Sequence, residues 1–189
     1  MTIQAAKRHK PMRFDKEKFK ALVLYVSWRA GHRDGFGVTK LNKVLWFADA
    51  RAYVLHKKSI TGATYIREKY GPVAKQMLAI EKELRQKGLI EVQKERHSKH
   101  VATKLRAFER PDLSLFSDEE LSIIDHWVKQ VDEDRPDDAQ GELSHDYAWQ
   151  IAEMGEVIPL YAVLAARVRA PRGRELEWAK AEAERLGLE

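Results

Sequence analysis

The stretch that most constrains this chain is Thr39 to Val73, TKLNKVLWFADARAYVLHKKSITGATYIREKYGPV. Leu41, Val44, Leu45, Ala48, Ala52 and Leu55 recur at i, i+3, i+4, i+7, i+11 and i+14. That spacing puts them on one stripe of an α-helix. Trp46 and Phe47 widen the stripe, so the helix is expected to be buried on two sides, with the chain organised around it. Thr39 is placed to cap its start. Ser59 to Gly62 ends it and turns the chain, and Thr64-Tyr65-Ile66 is a short β-prone run. Gly71 allows a turn, and Pro72 suits the first position of a following helix, where no backbone donor is needed.

The flanking segments supply the partners such a helix requires. A first helix is expected over Phe14 to Ala30, with Phe19, Leu22, Val23, Val26 and Ala30 at helical spacing and Asp15 at its start, where the dipole favours an acid. A third is expected over Pro72 to Lys87 on Val73, Met77, Ile80 and Leu84. Leu89 to Glu95 and Val101 to Phe108 read as two strands around the polar turn 96–100, a β-hairpin. Ser117 to Glu120 forms a capping box ahead of a helix with Leu121, Ile124, Trp127, Val128 and Val131 on its buried face. Ser144 is expected to cap a helix carrying His145, Tyr147, Trp149, Ile151 and Met154, with Val157 to Arg169 as a further apolar helix. Glu175 to Leu186 ends the chain as a polar helix with one apolar stripe.

The expected fold is α+β and mainly α. It is a single domain of about six to seven helices with a small hairpin, and its N-terminal half has a winged-helix-like outline. Residues 1–13 are expected to be a basic flexible tail, 14–169 the domain, and 170–189 an appended helix. At 189 residues the chain is long enough to bury a core. Its 44% hydrophobic and 33% charged content suits a soluble, helix-rich globule. The chain has no cysteine, which removes disulfides, thiolate metal sites and thiol nucleophiles and suits a cytoplasmic location. The basic N-terminus lacks an apolar core, so no secretory signal is expected. The longest apolar run, Val157 to Ala166, is short of a membrane span.

Charge is segregated within a net +5. Met1 to Arg13 is basic without an acid, Arg85 to Arg110 is mostly basic, and Phe116 to Asp146 is mostly acidic. Each run reads first as a solvated face, and together they would steer charged partners. Motifs for chemistry are weak. The glycine-rich loop 31–37 lacks the Gly-Lys-Ser/Thr ending and the preceding strand of a nucleotide cradle. Ser144-His145-Asp146 cannot converge as a triad, because adjacent helical residues point about 100° apart. His97 and His100 lack a supporting carboxylate, and the acidic turn near Pro136 lacks the glycine and ligand spacing of a calcium loop. No enzyme, no cofactor and no metal site is expected.

The ordered set Lys40-Leu41, Leu45-Trp46-Phe47-Ala48-Asp49, Ile60-Thr61-Gly62, Tyr65 and Tyr70-Gly71-Pro72-Val73 resembles the Panacea domain of SocA-like antitoxins, a family also found in phage-associated proteins. Leu143-Ser144-His145, Trp149 and Gly155 to Pro159 resemble its second block. Trp46 stands where the family usually has Tyr. The resemblance implies an antitoxin of a toxin-antitoxin system, neutralising a cognate protein toxin by occlusion or by delivery to a protease. Tyr65, Arg67, Glu68, Lys69 and Tyr70 are then the candidate toxin-binding residues. The alternative is a winged-helix-like nucleic-acid-binding regulator, with Arg85, Lys94, Arg96, Lys99, Lys104 and Arg106 on DNA. The expected partners are the toxin, with a protease and DNA as further candidates, and no membrane.

Overall fold

A computed structural model describes residues 12–97, 100–133 and 147–167. At its centre lies α2 (Val38–His56), in which every residue from Leu41 to Ala50 is buried. An apolar stripe widened by Trp46 and Phe47 cannot be covered from one side. The chain packs α1 (Lys16–Ala30), α4 (Asp118–Glu133) and two strand units around it. Phe47 stacks on Trp127 of α4 with ring centroids 4.4 Å apart. The end of the stripe differs from expectation: Leu55, one residue before the helix ends, is 45% exposed.

The helix ends come from backbone geometry more than from side-chain caps. Asp15 caps α1 by accepting from the Lys18 N–H at 3.0 Å. Thr39 does not cap α2. The N-cap is Gly37, which makes no side-chain cap bond and sits where a Cβ would lie 3.2 Å from the Thr103 carbonyl. Lys57 closes α2 in the left-handed conformation at φ 58°. The capping box of α4 forms as expected: the Glu120 N–H donates to Ser117 Oγ at 3.2 Å and the Ser117 N–H to Glu120 Oε2 at 2.9 Å.

The Gly-Pro step is corrected by the structure. Gly71 and Pro72 begin no helix; they open β2 (Gly71–Ala74), which pairs antiparallel with β1 (Tyr65–Glu68) in the register Ile66 with Val73 and Arg67 with Pro72. Arg67 spends its backbone groups on the other side of β1, with Glu156 O at 2.9 Å and Gly155 N at 2.8 Å. Pro72 therefore faces a position that needs no donor, a placement an edge strand tolerates for proline. The third helix, α3 (Met77–Gln86), starts five residues after Pro72. The segment expected as a helix from Val157 also differs. Val157–Ile158 is β5, paired with Tyr65 and Ile66 of β1, and Leu160–Arg167 is a 3-10 helix. The first sheet thus runs β2-β1-β5.

The expected hairpin is present as β3 (Ile90–His97) and β4 (His100–Ala107). The short α5 (Tyr147–Gln150) precedes β5. Among the described residues there are five α-helices and one 3-10 helix, against six to seven helices expected, in a mixed helix-and-strand fold. The β3–β4 hairpin follows α1, α2 and α3, with β1 and β2 standing between α2 and α3; this element order does not by itself make a winged helix. The tail 1–11, the acidic turn beyond 133, Ser144, His145 and the C-terminal segment 170–189 lie outside the described residues. Among the described residues, no helix is long and apolar enough to cross a membrane.

Ion pairs join the helices at the surface. Glu83 of α3 takes Lys16 at 2.7 Å and Lys20 at 3.0 Å from α1, with Lys87 at 2.9 Å; its hydrogen bonds to Lys16, Lys87 and Lys20 hold its carboxyl well below the usual range. Lys18 reaches Glu120 of α4 at 2.7 Å.

Gly62 marks a close crossing: at φ +69° a Cβ there would strike the Arg13 carbonyl and Phe14 Cα. Gly62→Ala should cost about 2–4 kcal/mol, combining left-handed strain with a backbone clash. Gly35→Ala, at φ +74° with open space around it, should cost only about 1 kcal/mol. Urea unfolding of both variants checks the difference; equal losses would contradict the crossing.

Candidate functional site

The motif residues Asp49, Thr61 and Tyr65 meet inside the core. The Asp49 side chain, fully buried, accepts from the Thr61 N–H at 2.9 Å through Oδ1. Its Oδ2 accepts from Thr61 Oγ1 at 2.6 Å and from the Tyr65 hydroxyl at 2.8 Å. Tyr65 is 1% exposed and meets Trp46 edge-on with centroids 5.1 Å apart. A buried carboxylate is costly unless its lone pairs are filled, and here the turn after α2 supplies two donors through Thr61 and β1 supplies one through Tyr65. Burial pushes the Asp49 carboxyl above its ordinary value, against the hydrogen bonds from Thr61 and Tyr65 that lower it. Burial, then the Asp49 charge, pushes the Tyr65 phenol well up. Chemically the arrangement is a pin that fixes where β1 leaves α2.

A second tie joins β1 to the later block. The Arg67 guanidinium lies over the Trp149 ring at 3.9 Å and donates to the Ala152 carbonyl at 2.5 Å and the Gln150 carbonyl at 3.3 Å. Trp149 Nε1 donates to the Glu68 carbonyl at 3.2 Å. Together with β5 pairing, this clamp makes the two motif blocks one structural unit.

The five candidate toxin-binding residues are therefore divided. Tyr65 is in the core and Arg67 is engaged in the clamp. Glu68, Lys69 and Tyr70 are exposed at the β1–β2 turn, with Tyr70 62% exposed and the Lys69 ammonium 5.3 Å from its ring centroid. Beside this turn runs a groove of about 550 Å³ bounded by the start of α2, by β2 and by α3. Leu78, on its wall, is 78% exposed. Asn42, on its floor, is 3% exposed; its Nδ2 donates to the Val38 carbonyl at 3.0 Å and its Oδ1 has no protein partner. Neither Asn42 nor Leu78 was singled out from the sequence. Leu78 stands off the Met77-Ile80-Leu84 stripe of α3, and that off-stripe position was the readable signal.

The basic candidates do not share a surface. Lys104 is 4% exposed and pairs with Glu95 at 2.7 Å, so it is held inside the hairpin's packing. Lys94 lies opposite Thr103 and Arg106 opposite Glu91, which puts Lys94 and Arg106 on opposite faces of the hairpin. Arg85 is exposed on α3. The Arg96 side chain and Lys99 lie outside what the structure describes. Among the described residues there is no group of three or more His, Cys, Asp or Glu side chains able to hold a metal.

These features define a helix-and-strand scaffold whose polar motif residues hold its own elements together and present one exposed turn. The chain belongs to the family of SocA-like antitoxins with a Panacea domain, whose family model matches residues 41–150. Comparison with curated proteins and with solved structures gave no match.

Because the folded Asp49 carboxyl sits above its ordinary value of 3.8, the folded state holds more proton than the unfolded chain in the window between that value and the raised one. Stability from this group is full below pH 3.8 and is lost as pH rises through the folded value. The stability of the wild type relative to Asp49→Asn should therefore fall as pH climbs above that point; a flat or rising difference would contradict it. Tyr65→Phe, which removes one hydrogen bond to the carboxylate, should cost about 1.5–3 kcal/mol at neutral pH. For the clamp, a double-mutant cycle of Arg67→Ala and Trp149→Ala should give a coupling of about 0.5–2 kcal/mol in denaturant unfolding. Strict additivity would show that the two groups do not interact.

Proposed function

We propose that this protein is the antitoxin of a toxin-antitoxin pair and neutralises a cognate protein toxin by binding it directly. The family match over residues 41–150 carries the reading. Family membership also points to a non-enzymatic role. In this reading the Asp49 pin and the Arg67–Trp149 clamp are the frame, and Glu68, Lys69 and Tyr70 are the contact residues. A tyrosine held on a rigid turn supplies a large contact area at small entropic cost, the property that makes aromatic anchors dominate interfaces. Neutralisation follows either from occluding the toxin's working surface or from handing the toxin to a protease as an adaptor. The alternative of a nucleic-acid-binding regulator draws on exposed Arg85, Lys94 and Arg106, but Lys94 and Arg106 face opposite ways and Lys104 is buried in an ion pair.

The test is growth rescue. The reading frame beside this one is induced with and without the protein in the same cell. The proposal expects arrest by the neighbour alone and growth restored by co-expression. Lys69→Glu with Tyr70→Ala should weaken binding at least about tenfold, since truncating a central anchor costs roughly 2 kcal/mol or more, and should leave the melting temperature unchanged. A harmless neighbour, or no rescue with both proteins soluble, sinks the proposal.

A further inference from the structure

We infer that the exposed face of α3 binds double-stranded DNA, an activity that goes beyond the antitoxin reading and does not depend on it. Met77, Ile80 and Leu84 are buried and mark the inward side of the helix. At about 100° per residue, the opposite side is formed by Lys75, just ahead of the helix, and by Ala79, Lys82 and Gln86, with Leu78 and Arg85 beside them. All of these residues are exposed. The face is cationic or neutral throughout, although α3 itself carries Glu81 and Glu83.

The fold takes those glutamates off the face. Glu83 turns toward α1, where it takes Lys16 at 2.7 Å and Lys20 at 3.0 Å, and it also takes Lys87 at 2.9 Å. Even with Glu17 on Lys20 at 2.8 Å, that flank keeps an excess of positive charge. Glu81 is half-buried and lines the groove on the β2 side of the helix, in the wall it shares with Glu68. Gln76 is spent as well, since its Oε1 accepts from the Thr64 N–H at 3.3 Å. By contrast, among the described residues no ion pair joins Lys75, Lys82 or Arg85 to a carboxylate.

Unpaired cations along one helix face match the regular array of phosphates on a duplex. An α-helix fits the major groove, which is about 12 Å wide, and α3 is about 15 Å long. Lys75 and Lys82 lie two turns apart and are placed for backbone phosphates. Arg85 and Gln86 bring the side chains that pair with guanine and adenine edges. Ala79, small and central on the face, allows close approach to the bases. Leu78, 78% exposed, offers the apolar contact that a thymine methyl accepts. No residue of the face is aromatic, so unpaired bases find no ring to stack on, which favours a duplex over a single strand. The contact thus falls on α3 and not on the β3–β4 hairpin, whose Lys94 and Arg106 face opposite ways.

The experiment uses the full chain with no toxin present. A labelled mixed-sequence duplex of about 30 base pairs, and one of its strands alone, are titrated at about 50 and 200 mM salt. The inference expects duplex binding that weakens steeply with salt. Lys82→Gln with Arg85→Gln should weaken it at least about tenfold at the lower salt, reduce the slope of log affinity against log salt by about two, and leave the melting temperature unchanged. Lys94→Gln with Arg106→Gln removes the same charge from the hairpin and should change affinity by less than about threefold. Equal losses in the two pairs assign binding to net charge alone and overturn the α3 face. Tighter binding of the single strand overturns duplex recognition, and absence of binding by the wild type at the lower salt overturns the activity itself. All three results leave the antitoxin reading, which growth rescue tests, untouched.

Discussion

The buried Asp49 carboxylate is the interaction on which the remaining geometry depends. It sits at mid-helix on α2 with no ion pair among the described residues, and its hydrogen bonds come from the Thr61 amide, the Thr61 hydroxyl and the Tyr65 hydroxyl. Those demands fix the turn after α2, and the turn fixes more. With Thr61 in place, its carbonyl accepts from the Asp15 N–H at 2.9 Å at the start of α1, and Gly62 lets Arg13 and Phe14 cross it at backbone distance. Tyr65 then begins β1 with its ring against Trp46. One carboxylate thereby sets the entry of α1, the exit of α2 and the register of the first sheet.

From that frame follows a division of labour within the motif residues. Polar groups that look available for recognition in the sequence are spent internally when they lie on β1 facing the later block, as Arg67 does over Trp149. Those that fall on the two-residue turn between β1 and β2 are left outside. Strand alternation thus separates groups spent inside the frame from groups left exposed, and the result is an exposed turn beside a groove with an unfilled acceptor at its floor. Such a surface suits a binding protein, because a preorganised contact loses little entropy on association.

Much of the fold was legible because it rests on local periodicity. The stripe of α2, the capping box of α4, the Asp15 start of α1 and the β3–β4 hairpin depend on residues close in sequence, and each is found. The misses depend on partners distant in sequence. Pro72 reads as a helix start until β1 is placed beside it, at which point its missing donor falls in a position that needs none. Val157 and Ile158 read as helix because an apolar run has no period of its own, and only pairing with Tyr65 and Ile66 makes them a strand. The candidate site was legible in the same measure. The Glu68 to Tyr70 segment was readable from the motif, whereas the roles of Asp49 as pin and of Asn42 as orphaned acceptor require knowing what each side chain meets in the fold. Lys104 shows the converse: a lysine in a basic run becomes a core residue when the hairpin folds it against Glu95.

The most direct test of this account is native-state hydrogen exchange at the Thr61 amide, the donor to Asp49 Oδ1. If the carboxylate pin is part of the cooperative core, this amide exchanges only through global unfolding, and its opening free energy equals the whole stability of the domain. If it exchanges through a local opening well below that value, while amides in the middle of α2 stay protected, the pin is a peripheral contact and the frame must be held by something else.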